Sequence, residues 1–431
     1  MSTLPPSLWA KTAIAGPDSP PLTEAVETDT VIIGAGYTGC SAALHLAREG
    51  RAVRLLDAEQ PGWGCSGRNG GQVNPGGTRE TPQQILHTLG AHWGNRFIDM
   101  GHRSCDLVFD LIDRYHLECE AIRPGYVQGG WGKVGVDYEK DWVSQWHARG
   151  VDTYLLTRNE IRDLIGTEHY DHGLYDARGG NVQPLSYARG LAHAAVTEGA
   201  VIHSDSRAVD VTRVGSEWRV TVANGASVSA RHVVLATNGY TDNLWPGLKR
   251  SIVPVSSFVA ATAALGHNRL ANVLPGKHAV SESCRIIVYY RLDQAGRFII
   301  GGHGNLFNVD QTGDDSHVRD IALRLFPELA DVDWEYHWGG WPAITKNHLP
   351  MLLGLAPGVF AALGYNGRGV ATATMMGKQL SLAVLGEATD IEIKALSTYA
   401  LHPLRQLGIS YRVIGGKWRD ARPGMRAIRT S

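Results

Sequence analysis

The chain has 431 residues, is 43% hydrophobic and 19% charged, and carries a formal net charge of −1. That length suits two or three domains, and the balanced charge excludes the strongly basic surface that captures nucleic acid. Five cysteines with no CxxC pair argue against a disulfide framework and fit a reducing compartment. Eighteen histidines show no metal-ligand spacing, so no metal is expected. No apolar run is long enough to span a membrane, and the N-terminus lacks a basic segment followed by an apolar one. The expectation is a cytoplasmic protein.

Residues 1–29, rich in Pro, Ser and Thr, read as an irregular arm pinned by Trp9 to a neighbouring surface, or as a partner-binding arm. Residues 30–33 are a short β-branched run, hence a buried strand. The turn GAGYTG follows, and a helix then runs to about residue 49. A second strand, 52–56, ends at Asp57. Gly34 permits the turn, Gly36 admits a pyrophosphate to the backbone, and Gly39 lets helix and strand pack closely. The helix N-terminus offers unpaired N–H groups to phosphate, and Asp57 stands where a carboxylate accepts from ribose hydroxyls. Asp57 also disfavours NADP, whose extra phosphate it would repel.

Residues 61–77, PGWGCSGRNGGQVNPGG, are too glycine-rich for a regular element. They read as main chain brought close to a flat or anionic ligand, or as a flexible loop. Further along, the patterns predict a helix over 82–116, strands over 118–135 with a hairpin near 129–132, and helices over 138–149 and 158–165. A Pro-started helix over 182–200 and strands to 236 follow. Residues 251–335 read as a mainly antiparallel sheet. A strand over 359–363, the turn GYNGRG, a helix over 370–385 and a basic tail complete the chain.

These stretches carry a likeness. The chain resembles the FAD-dependent D-amino-acid oxidase, glycine oxidase and sarcosine oxidase superfamily, and within it the γ-glutamylputrescine oxidase branch. The likeness rests on TVIIGAGYTGCSAALHLAREGRAVRLLDAE, CSGRNGGQ, the helix at Pro184, VVLATNGY, WGGWPAITKNHLP and GYNGRGVATATMMGKQL, in that order. It implies an α/β fold: a Rossmann-like FAD-binding domain interleaved with a mainly antiparallel substrate domain. The implied FAD segments are 30–80, 150–250 and 340–390. The substrate segments are 81–149 and 251–339, after an arm at 1–29 and before a helical, basic tail at 391–431.

The resemblance also implies positions. Gly34, Gly36, Tyr37, Thr38, Gly39, Asp57 and Ala58 match the nucleotide turn. Ser66, Gly67, Arg68, Asn69, Gly70, Gly71 and Gln72 match the loop beside the flavin ring. Ala208 matches a backbone contact to adenine, and Thr237, Asn238 and Gly239 a turn near the pyrophosphate. Gly364, Asn366, Gly367, Arg368, Gly369 and Val370 match the turn over the flavin's pyrimidine edge. No cysteine follows Cys284, and Arg68 and Asn69 stand where some relatives carry a flavin-linking histidine, so FAD is expected to be non-covalent.

The implied reaction is C–N oxidation. A hydride passes from the carbon beside an amine nitrogen to flavin N5, the imine is hydrolysed, and O2 takes the electrons to give H2O2. Lys346 reads as a cation near N5, or as a loop lysine. Arg368 would face the negative charge of reduced flavin. Tyr289 and Arg291 share a strand face and would hold a carboxylate and line an amine pocket, or make ordinary sheet contacts. His303 borders the flavin or is structural, and Trp341 walls the pocket or sits in the core. Substrates in keeping with the likeness are a γ-glutamyl polyamine or a secondary amino acid such as L-pipecolate. The alternatives are a dehydrogenase passing electrons to a quinone or carrier, a non-catalytic flavoprotein subunit, and an NAD-dependent dehydrogenase using the first motif alone.

Overall fold

The apolar run at residues 30–33 forms the middle of the larger sheet. In the computed structural model, residues 4–283, 288–303, 316–399 and 402 are described, the side chains of Val134 and His303 excepted. Ile32 points into a core shared with helices, while Val31 and Ile33 point into a second core on the other face. A parallel strand buried on both faces has to be apolar throughout, which is the pattern of this run. The strand is longer than the apolar run, Val26–Ile33. Its polar first half pairs with Val228, Ser229 and Ala230, a long-range partner that periodicity does not reveal.

From edge to edge this sheet runs Ile393–Ala395, Met351–Ala356, Val359–Leu363, Ser227–Leu235, Val26–Ile33, Val53–Leu56 and Val201–His203. Its central pairings are parallel and in register: Ile33 lies beside Leu235 and Leu56, and Leu235 beside Ala361. The three glycine-bearing turns therefore leave the same carboxyl end side by side, the usual ligand position in such a sheet. The helices Tyr37–Arg48, Pro184–Thr197 and Gly369–Leu385 cover one face.

A second sheet runs Trp334–Gly340, Ser257–Ala264, Arg297–His303, Tyr289–Leu292, Ala279–Glu282, Tyr126–Gly130, His172–Asp176 and Thr153–Thr157. It is antiparallel except where Ala279–Glu282 pairs with Tyr126–Gly130. The fold is thus the mixed α/β architecture expected, with three local corrections. No hairpin forms at 129–132: Tyr126–Gly130 is one strand with distant partners, and the helix Gly132–His147 follows at once. The glycines there make room for rings, since a Cβ on Gly129 would lie 2.7 Å from Tyr170.

The boundary at 149/150 is also misplaced. Thr153–Thr157 and His172–Asp176 belong to the second sheet, because His172–Asp176 hydrogen-bonds to Tyr126–Gly130. Finally, residues 391–431 are not wholly a helical tail, since Ile393–Ala395 adds a parallel edge strand to the first sheet. Cys284 and residues 403–431, which make up most of the expected basic tail, lie outside the described residues. No helix among the described residues is long and apolar enough to cross a membrane.

Trp9 pins the arm as expected, from a short helix rather than from irregular chain, and residues 10–21 stay partly or fully exposed. The helix Leu8–Thr12, capped by Ser7, sinks Leu8 and Trp9 to 0% exposure against Leu185, Trp338 and Ile299.

Close packing of the two helices that open on the glycine turns depends on absent side chains. A Cβ on Gly39 would sit 1.8 Å from the Gly34 carbonyl oxygen, and one on Gly377 2.5 Å from both Ser41 Cβ and the Thr38 oxygen. Gly377→Val should push Gly369–Leu385 off Tyr37–Arg48 and cost about 3 kcal/mol, the upper end for overpacking. Thermal unfolding of the variant would check it.

Candidate active site

The turns converge on a cavity of about 1130 Å³. Single small-molecule pockets hold roughly 300–1,000 Å³, so this one has room for a large cofactor and a small substrate together. At one end the first turn supplies Gly34, Gly36, Tyr37 and Thr38, the residues just after the second strand Asp57 and Ala58, and the start of the strand Ala208–Val214 its first residue, Ala208. The Tyr37–Arg48 helix begins at Gly36 with no side-chain cap, leaving N–H groups and the positive end of its dipole toward the cavity.

Asp57 has a structural part in the turn. One carboxylate oxygen accepts from Ala35 N at 2.5 Å and the other from Glu59 N at 2.8 Å, so it braces the turn from inside. Burial pushes its pKa up to about 6, only partly opposed by these two backbone donors. Each oxygen keeps a lone pair for a further donor.

The second turn supplies Thr237, Asn238 and Gly239. Asn238 adopts a positive φ of 40°, and its Oδ1 accepts from Gly364 N at 2.9 Å, tying the second turn to the third. In the third, Asn366 also has positive φ, 52°. Its Oδ1 accepts from Thr345 N at 2.9 Å, which fixes the segment carrying Lys346. Asn tolerates this left-handed region better than other non-glycine residues. Tyr365, which the sequence reading passed over, shares a 2.6 Å hydrogen bond with the Thr38 hydroxyl and so joins the first turn to the third.

Residues 64–72 form the wall between the two sheets. Asn69 is its hub: Nδ2 donates to the Cys65 and Ser66 carbonyls at 2.9 Å, and Oδ1 accepts from Gly71 N at 2.8 Å. Ser66 Oγ accepts from Tyr37 N at 3.0 Å. Gln72 Nε2 donates to the Val280 and Tyr290 carbonyls, at 2.9 and 3.1 Å, linking the loop to the second sheet. Arg68 is 4% exposed, its guanidinium 4.2 Å from the Trp63 ring centre.

Arg368 is buried at the start of the last helix. It donates through Nη1 to the Pro75 carbonyl and lies 5.6 Å from the Tyr126 ring centre. Its Nε has no partner among the described residues. Gly367, Gly369 and Val370 line the cavity with it. Lys346 is exposed where it borders the cavity. Tyr289 faces the cavity; burial pushes its phenol up to about 12, against a hydrogen bond with Ser257, so it stays neutral.

Other expected site residues stand behind the wall. Gly39, Gly67, Gly71 and Gly364 shape the turns without bordering the cavity. Arg291 is a correction: it is 3% exposed, absent from the cavity wall, and aimed at backbone. It donates from Nε to Gly70 O at 2.6 Å and from Nη2 to Val182 O at 2.8 Å. Sharing a strand face with Tyr289 did not bring it to the same space, because the loop at residues 64–72 lies over it. The backbone of His303 ends the strand Arg297–His303, and its side chain lies outside the described residues. Trp341 does not border the cavity either. Arg79 and Ser281 do, unforeseen; a cation just past the glycine-rich loop was the one available hint for Arg79, and nothing marked Ser281.

The cavity fits a dinucleotide with a flat ring. Two helices open on it without side-chain caps, at Gly36 and at Arg368, a carboxylate stands at the end of the second strand, and a buried guanidinium N–H awaits an acceptor. Comparison with known proteins agrees. The family described as FAD dependent oxidoreductase (DAO) matches residues 29–382. A probable oxidoreductase OrdL of Rhizobium meliloti is 32% identical over 372 residues, 85% of each chain. The gamma-glutamylputrescine oxidoreductase of Escherichia coli is 28% identical over 405 residues, 93% of this chain and 94% of that one. Glycine oxidase from Geobacillus kaustophilus shares the fold, with a TM-score of 0.69 at 20% identity over 85% of this chain and 96% of that one. The chain belongs to the FAD-dependent oxidoreductase (DAO) family, enzymes that use FAD to oxidise amines or amino acids.

A raised Asp57 pKa has two consequences. In the apoprotein the folded state favours the protonated acid, so this group's stabilisation is present below its ordinary pKa and is lost as pH rises through about 6. Binding of ribose hydroxyls needs the carboxylate, so apoprotein affinity for FAD should weaken as pH falls below about 6. Fluorescence titrations of apoprotein with FAD across pH 5–8 check this, and Asp57→Asn should flatten the dependence.

Proposed function

We propose that the protein is an oxidase of amines that also carry a carboxylate, either a γ-glutamyl polyamine or a secondary amino acid such as L-pipecolate. The carrying observation is the charge along the cavity wall. Arg68, Arg79, Lys346 and Arg368 border it, with Arg207 beside Ala208, whereas its described carboxylates, Asp57, Glu59 and Asp242, follow the strands and turn assigned to the nucleotide. Both the Arg79 and the Arg368 guanidinium lie within electrostatic reach of the Tyr138 hydroxyl. A bare polyamine would meet like charge there, while a carboxylate finds two guanidinium groups. The name of the E. coli relative supports a γ-glutamyl amine.

In this reading the first sheet and its helices hold FAD non-covalently, and the second sheet supplies the substrate wall. Bound FAD supplies the hydride acceptor. The chain's residues orient and screen. Asn69 and Gln72 hold the loop at the ring, and Tyr289, neutral and braced by Ser257, offers an aromatic face to the amine. Arg368 places positive charge where reduction adds negative charge. Lys346, at the open side, attracts the superoxide-like charge that develops when O2 is reduced.

Anaerobic mixing with an amine panel tests the reading. Carboxylate-bearing amines should bleach the flavin and unsubstituted putrescine should not; the reverse would refute it. Under air, H2O2 should form in step with substrate lost, and a low yield would favour the dehydrogenase. Arg79→Ala should raise KM about ten- to a hundredfold, the loss of one charged hydrogen bond. Lys346→Met should slow reoxidation by O2 and leave anaerobic reduction unchanged, as stopped-flow traces would resolve.

A further inference from the structure

Three buried side chains from separate elements hold consecutive carbonyls of the loop beside the cavity. Trp338 Nε1 donates to Arg68 O at 2.8 Å, Trp9 Nε1 to Asn69 O at 2.9 Å, and Arg291 Nε to Gly70 O at 2.6 Å. Arg68, Asn69 and Gly70 border the cavity, and none of the three donors does. The carbonyls therefore point away from it. Trp9 is further locked by an edge contact to Trp338, ring centres 5.5 Å apart, and by the Arg291 guanidinium 5.0 Å over its ring.

The three peptides are not equivalent. In a trans peptide the N–H points opposite to the carbonyl before it, and the described chain has no cis bond. Opposite the Arg68 carbonyl is Asn69 N–H, already donated to Cys65 O at 3.1 Å. Opposite the Gly70 carbonyl is Gly71 N–H, already donated to Asn69 Oδ1 at 2.8 Å. Opposite the Asn69 carbonyl is Gly70 N–H, which has no acceptor among the described residues and lies at the cavity wall.

We infer that Trp9 is a positioning residue for the redox centre: by holding the Asn69 carbonyl outward it aims the Gly70 N–H at the flavin ring. The inference rests on the reading of this loop as the ring's seat. It makes the N-terminal arm part of the active site's support. A donor N–H at the ring favours the electron-rich reduced flavin, and a carbonyl turned there instead would oppose it.

Trp9→Phe keeps most of the ring and removes the N–H. It should weaken FAD binding about five- to tenfold, one hydrogen bond's worth. It should also lower the midpoint potential by about 30 mV, a tenfold change for two electrons. Trp338→Phe removes the neighbouring donor, whose peptide has no free N–H, and should leave the potential unchanged. Equal shifts in both variants, or a lowered unfolding temperature in Trp9→Phe without any change in potential, would overturn the inference. Hydrogen exchange on the unmodified protein is the second arm. The N–H groups of Gly67, Arg68, Asn69 and Gly71 have protein acceptors without FAD, so adding FAD should protect one further amide in residues 67–71. No further protection, with FAD bound, would overturn it. If the unmodified apoprotein took up no FAD, the site reading would fail, and the inference with it.

Discussion

The site depends on the parallel pairing of three strands that are far apart in the chain. Ile33, Leu235 and Ala361 lie in register across the first sheet, so the turns after residues 33, 235 and 363 emerge together. Any slip of one residue would turn the Val31 and Ile33 side chains from one core into the other. The two apolar layers that clamp these strands thus also fix where the turns stand. Side-chain bonds between turns, Asn238 to Gly364 and Thr38 to Tyr365, then join what the register has aligned.

The second constraint is how the loop at residues 64–72 is held. It has too many glycines to keep a shape by its own propensities. Its form comes from outside: Asn69 bonds within it, Gln72 ties it to the second sheet, and Trp9, Trp338 and Arg291 hold its carbonyls. A cavity wall must leave some polar groups free for a ligand, so the remaining ones need partners in the core. The buried arm and the buried Arg291 serve that need. Burial lowers the Arg291 pKa to about 10, which leaves it a cation at neutral pH, and the backbone carbonyls it reaches satisfy that charge.

Much of this was legible before any coordinates. The first strand, GAGYTG, the helix after it and Asp57 stood where the spacing put them, because each needs only local chemistry: a β-branched run, a glycine turn, an amphipathic helix. The later turns carried the same kind of signal. The misreadings came where glycine has another purpose. At 129–130 it clears space for Tyr170 and His172 rather than making a hairpin, and a sequence does not say which use is meant. Arg291 was misplaced for a related reason, since strand alternation gives a face but not what lies over it.

The sequence by itself determined the class of the fold and the places of the glycine-bearing turns, since these follow from residue types at short, fixed spacing, and its motifs carried the likeness to the family. Only the tertiary structure decided that Trp9 is buried beside the loop at residues 64–72, that Arg79 and Ser281 border the cavity, and that Arg291 does not. Those facts depend on pairings across tens to hundreds of residues, and long-range packing, unlike a turn or a helix start, leaves no periodic trace in the chain.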